Sequence, residues 1–229
     1  FLPINLAPLR LVNPLRADED SLRTASLGQL LETLSANRRF TDYDLSLFEL
    51  GKIFVPSNDS LPEERLLLTA VTGHKLSIAG WDQQRESTFF DMKGLGELLL
   101  RRFNIKEFET KPFRHPTFHT GRCATLSSRD VLLAAFGEIS PSTCKLMNID
   151  EPVWTLLVDI DKVLQLAIDA PLFNSLPRFP AVIQNISIVV PLESESAVFT
   201  ETISNAGGGI VESVTLVDEY RGSQVPANK

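Results

Sequence analysis

The sequence is poor in the residues that most metal, redox and polyanion chemistry requires. Its only two cysteines are Cys123 and Cys144, too few for a disulfide framework and in keeping with a reducing compartment. No apolar run approaches the ~18 residues of a membrane-spanning helix. The opening FLPINLAPLRLVNPLR lacks a basic region leading into an apolar one, so it is not a signal peptide; it reads as a cut inside a larger chain. Positive charge is also in deficit. Lysine and arginine total 22 against 29 acids, a net charge of −7, which argues against a general polyanion binder and leaves room for a local basic patch.

What remains is the make-up of a soluble globular protein, 43% hydrophobic and 22% charged. At 229 residues the chain can bury a real core, as one large domain or two ordinary ones. Residues 1–20 are punctuated by Pro3, Pro8 and Pro14 and read as extended, since each proline removes a backbone donor. Ser26, with Gln29 as its reciprocal partner, is placed to cap a helix. Leu27, Leu30, Leu31 and Leu34 then fall at i, i+3, i+4 and i+7 on one stripe. Leu45–Val55, apolar almost throughout, predicts a strand buried on both faces. Leu66–Gly73 predicts the next one.

Asp91 is expected to cap a second helix carrying Met92, Leu95, Leu99 and Phe103 on one face. Strands are predicted at Cys123–Ser127, Val131–Ile139 and Val153–Ile160, with a hairpin turn at Ser127-Ser128-Arg129-Asp130. Ser140-Pro141 opens a short helix, and another begins at Asp161. Strands that outnumber helices and are joined by short turns predict a mostly antiparallel sheet with helices packed on it. Three prolines and an Asn-Ser pair between Ala170 and Pro180 mark a linker, which divides the chain at 170/171. A strand (Val182–Val190), a helix (Glu195–Asn205) and a strand (Ile210–Val217) follow, the first half of a ferredoxin-like unit.

Three constellations carry possible chemistry. His115 and His119 in HPTFH have metal-ligand spacing, but zinc needs three or four ligands and no further cluster is near in sequence. They read as loop or core histidines. Ala206-Gly207-Gly208-Gly209 follows a helix instead of preceding one, so it faces the wrong end of the dipole for a phosphate and reads as a helix C-cap. Asp159 and Asp161 would share a strand face as an acid/base or metal pair, but Asp161 fits better as a helix cap.

Several stretches resemble the C-terminal part of the beta subunit of phenylalanine–tRNA synthetases. These are NPLRADEDSLRTASLGQLLETLSAN with LFELGKIF, FFDMKGLGELLL, HPTFHTGRCATL, AFGEISPSTCKLMNID, LPRFPAVIQNISIVV and LVDEYRGSQVPANK, and together they cover essentially the whole chain. The resemblance implies an α+β fold: residues 1–170 as a class II synthetase-like antiparallel sheet with helices, and 171–229 as a truncated ferredoxin-fold anticodon-binding domain. Gln184-Asn185 stands where the family usually has Arg-Asp.

The resemblance also implies an inactive catalytic fold, with the chemistry in the alpha subunit. Active class II domains hold ATP phosphates with an arginine just after a glycine-led strand; here Val55 occupies that place. Leu157 and Asp159 replace the two glycines of the last class II motif, and Lys162 replaces its arginine. No metal site or catalytic residue is expected within the chain. ATP and magnesium would serve the whole enzyme, whose editing and magnesium sites lie in other regions. The implied partners are the alpha subunit and tRNA, in a cytoplasmic hetero-oligomer (a heterotetramer) without membrane contact. Arg178, Arg221 and Lys229 are candidates for tRNA phosphate contacts. Two other functions fit the same residues: an active ATP- and amino-acid-binding domain, or an interaction module that never meets RNA.

Overall fold

The computed structural model describes residues 6–16, 19–38, 40, 45–57, 61–77, 84–168 and 179–220. Contacts divide the chain into two units, Phe1–Phe173 and Asn174–Lys229. The first begins with a loop whose one ladder contact joins Arg10 to Ser21, followed by helix α1 (Leu27–Arg38). Strands β1 (Ser46–Val55), β2 (Glu63–Thr72), β3 (Lys75–Ser77) and β4 (Gln84–Glu86) precede helix α2 (Phe89–Arg102). Then come β5 (Glu109–Pro112), β6 (Phe118–Ser128), β7 (Val131–Ile139), α3 (Pro141–Leu146), β8 (Trp154–Asp159) and α4 (Ile160–Leu166).

Six of the strands form one sheet in the order β1-β2-β8-β7-β6-β5, and every pairing is antiparallel. The chain inserts β8 between β2 and β7, so the last strand of the unit lies at the sheet's centre, where all six of its residues are buried. Arg129 and Asp130 turn the β6–β7 hairpin, both at positive φ, as a tight primed turn demands.

Registry sorts the side chains onto two faces. Ala124, Leu126, Ala134, Phe136, Leu156 and Val158 form one core with Met92 and Leu100 of α2 and Val163 of α4. Helix α2 lies close to the sheet at Gly96, where a Cβ would fall 2.9 Å from Leu126 Cδ1 and 3.3 Å from Leu156 Cδ1. The predicted leucine stripe of α1 is the buried one; it packs with Val71, Ile139, Cys144, Ile149 and Val153 in a second core.

Four local expectations need correction. Strand β1 is not buried on both faces. It is an edge strand of alternating exposure, with Phe48 at 74% and Leu50 at 56%. Ser26 spends its hydroxyl on Thr69, and Gln29 accepts from Arg23. Helix α2 is capped by Thr88, with Asp91 as the third helical residue of a capping box, and Leu95 is exposed. Asp159 caps α4, its Oδ1 accepting from Lys162 N at 3.1 Å, whereas Asp161 Oδ2 accepts from Leu66 N at 2.7 Å. Ser140 caps α3 with proline in its first turn, as the sequence predicts.

The second unit contains helix α5 (Ser196–Gly207) and a 3₁₀ turn (Gly208–Ile210). The α5 cap is Gly208 at φ +53°, so the glycine run is a helix terminator, as expected. The predicted strands Val182–Val190 and Ile210–Val217 are not found: neither stretch has a ladder partner among the described residues, and Ile210 ends the 3₁₀ turn. No residue of 179–220 is buried.

Candidate functional site

The sheet face opposite α2 and α4 carries Leu157 near its centre. Registry lays one row across the whole sheet: Glu49, Thr69, Leu157, Ala135, Thr125 and Lys111. Its centre is closed by the chain's own side chains. Thr69 and Ala135 are 0% exposed and Leu157 is 1%. On one side, Ser26 Oγ and Thr69 Oγ1 share a hydrogen bond 2.6 Å long. Arg23 lies over the edge of β1, donating to Lys52 O at 2.7 Å, to Gln29 Oε1 at 2.9 Å and to Glu49. Gly51 makes room for it, because a Cβ there would fall 2.1 Å from Arg23 Nη2. On the other side Phe113, Phe118 and Cys123 pack against Ala135 and Leu157. Burial pushes the Cys123 thiol's pKa up, and its Sγ donates to Phe113 O.

Of the four positions that the sequence comparison set against an ATP motif, Leu157, Asp159 and Lys162 lie at the β8–α4 corner and Val55 lies apart. Leu157 is sealed within the row just described. Asp159, 3% exposed, is held as the α4 cap, and Lys162 Nζ lies 3.3 Å from its Oδ2. Val55 ends β1 opposite Glu63. The arginine at this corner is Arg65, which gives both prongs of its fork to Glu63 at 2.7 Å each. That bond holds the Glu63 carboxyl below the usual carboxylate range. Asp159, Asp161, Lys162, Glu63, Glu64 and Arg65 line a cleft of about 470 Å³ that contains as many acids as a nucleotide phosphate would find repellent. Lys52 Nζ, 2.6 Å from Glu64, is committed as well.

Among the described residues no group of three or more His, Cys, Asp or Glu that could hold an ion includes His115 or His119. His115 Nδ1 accepts from Thr117 N at 3.2 Å, and the ring stacks on Phe113 with centroids 5.9 Å apart. His119 Nδ1 is buried and has no hydrogen-bond partner among the described residues. Arg178, Arg221 and Lys229 lie outside the described residues. Sequence reasoning missed Arg23, Thr69, Phe113 and Phe118, whose work depends on contacts far apart in the chain.

The antiparallel sheet with β8 at its centre, flanked by helices, is the fold of the class II aminoacyl-tRNA synthetases, here with a ferredoxin-like second unit. The crystal structure of pyrrolysyl-tRNA synthetase from Desulfitobacterium hafniense matches over 69% of this chain and 53% of its own, with a TM-score of 0.52 at 16% identity, a likeness of fold alone. Residues 4–160 match the family model described as the phenylalanyl tRNA synthetase beta chain CLM domain, and 177–229 match the ferredoxin-fold anticodon binding domain. The chain belongs to the phenylalanyl tRNA synthetase beta chain family. The phenylalanine--tRNA ligase beta subunit of Syntrophotalea carbinolica is 32% identical over 97% of this chain and 28% of its own length. That of Clostridium tetani is 33% identical over 96% and 27%. The chain thus spans about a quarter of the curated relatives it matches. Among the described residues no helix is long and apolar enough to cross a membrane.

Proposed function

We propose that this chain is the part of a phenylalanine–tRNA ligase beta subunit that supports the catalytic alpha subunit without a nucleotide site of its own. The observation that carries this reading is the closed sheet face. A class II active site needs open space, glycines that admit the nucleotide and a free arginine for phosphate. Here Leu157 is sealed, Asp159 and Lys162 serve the α4 cap, and Arg65 is spent on Glu63. These residues do not fit ATP or its magnesium. In the whole enzyme, ATP and magnesium belong with the alpha subunit.

The partner surface includes the outer face of β1, where Phe48 and Leu50 stand exposed two residues apart, an apolar pair that costs solubility unless covered. The second unit contacts tRNA, and Arg178, Arg221 and Lys229 supply phosphate contacts, each worth about one unit of salt slope. The assembly is a cytoplasmic heterotetramer.

Isothermal titration of the full chain with ATP and magnesium tests the central point. Absence of saturable heat is expected, and clear saturable binding would turn the reading to an active domain. Co-expression with the alpha subunit of the same organism tests the partner. Failure to co-purify would leave an isolated interaction module as the better account.

A further inference from the structure

Helix α2 has two opposite faces. Met92, Gly96 and Leu100, spaced i, i+4 and i+8, turn to the sheet and are buried. On the other side of the axis Phe90, Gly94 and Leu98 repeat that spacing, and all three are exposed. Phe90 is 73% exposed and Leu98 53%, with Leu95 exposed beside them. Gly96 has a reason within the chain, since a Cβ there would press on Leu126 and Leu156, whereas a Cβ at Gly94 would meet nothing within 4 Å. Glycine is a poor helix former, and no contact among the described residues accounts for one on the outer face of this 14-residue helix. It leaves a gap between Phe90 and Leu98 that admits the close approach of another backbone.

Charge along the helix is uneven once its internal pairs are set aside. Lys93, Glu97 and Arg101 pair with one another, and Arg85 neutralises Asp91. Arg102, at the C-terminal end, is exposed and makes no ion pair or hydrogen bond among the described residues. Glu86, just before the N-terminal end, is exposed and faces His74 at 3.5 Å. One end of the outer face therefore offers a cation and the other an anion.

We propose that the outer face of α2 docks against the same face of a second copy of this chain, the two helices antiparallel and crossing at Gly94. A two-fold contact must be complementary to itself, each residue meeting the partner of its own partner. About a crossing at Gly94, Phe90 of one copy lies against Leu98 of the other, since each stands one turn from the glycine. The same operation brings Arg102, eight residues after Gly94, toward Glu86, eight residues before it. A parallel pair would instead set Arg102 on Arg102 and Glu86 on Glu86, like charges that oppose docking. Both halves of the apolar pair and both halves of the ionic pair are thus present on one face, which is what a second copy requires. No residue of this face belongs to the β1 surface of the supporting role proposed above, so the inference does not rest on that reading.

Sedimentation velocity of the full chain, from micromolar to sub-millimolar concentration at physiological salt, tests it. A reversible monomer–dimer equilibrium is expected, and Leu98→Asp should weaken it about tenfold or more. Gly94→Ala should raise the melting temperature of the dilute chain, because alanine is the better helix former, and yet weaken association by filling the crossing point. A purely structural role would move both readings the same way. Arg102→Glu and Glu86→Arg should each weaken association, and the double exchange should restore it. The proposal falls if the chain stays monomeric throughout the range, if Gly94→Ala associates like the wild type, or if the double exchange does no better than the single ones. It falls as well if Leu98→Asp leaves self-association intact and abolishes binding of the alpha subunit, because that subunit would then be the occupant of the face.

Discussion

The bond between Ser26 and Thr69 offers the sharpest test of how the sheet face is closed. Both residues are buried, at 1% and 0% exposure, and their hydroxyls are 2.6 Å apart. No other side-chain hydrogen bond involves either hydroxyl among the described residues. Removing one partner strands the other in the core, at a cost of about 1–3 kcal/mol. Removing both replaces a satisfied polar pair with apolar groups of similar shape, which is nearly neutral. Ser26→Ala and Thr69→Val should therefore each lose about 1–3 kcal/mol, and the double variant should stay within about 1 kcal/mol of wild type. Equilibrium urea unfolding reads this, followed through Trp154, which is 8% exposed on the central strand. If the two single losses simply add in the double variant, the bond does not fasten α1 to the sheet and the argument for closure from that side fails.

Three further outcomes follow from individual contacts. Gly137 sits at φ +152°, where a Cβ would fall 2.4 Å from Arg122 O and 2.6 Å from Cys123 Cα; Gly137→Ala should cost about 2–4 kcal/mol in the same unfolding assay. Asp91 is held at about 2, chiefly by the Arg85 hydrogen bond. A depressed carboxylate stabilises the fold above its unfolded value, and the effect is lost as pH falls through the folded value. Arg85→Gln should accordingly lower the melting temperature near neutral pH, with the gap to wild type closing between about pH 4 and 2. Val55→Arg should change stability by no more than about 0.5 kcal/mol, because β1 is an edge strand and the new guanidinium faces Glu63. Titration calorimetry should still show no saturable ATP heat, since the Leu157 row stays sealed.

The parts of the fold legible in the sequence are those set by local periodicity. Leu27, Leu30, Leu31 and Leu34 bury as their spacing predicts, because the period of a helix decides its inner face before any partner is known. The same logic misled at β1. Phe48 and Leu50 are apolar on a face that this chain leaves open, and an apolar residue carries no mark of what covers it. Caps went astray for a different reason. Thr88 and Asp91, or Asp159 and Asp161, are equally good cap types a few residues apart. Backbone angles choose between them, with Thr88 and Asp159 extended just before their helices.

The site divides along the same line. The proposal that Val55, Leu157 and Asp159 depart from an ATP-binding pattern comes from one dimension, since a missing arginine or glycine is visible wherever it folds. What fills the place does not. Arg23 reaches across 26 residues to Glu49 and Ser26 across 43 to Thr69, contacts that only the sheet order creates. The proposed loss of the motif and the filled face thus rest on separate observations. Once Leu157 and Thr69 are packed dry, restoring a single charge at the rim gives a nucleotide nowhere to lie. Recovering a site would mean reopening the row itself, at the expense of the core that α1 and the Phe113–Phe118 loop complete.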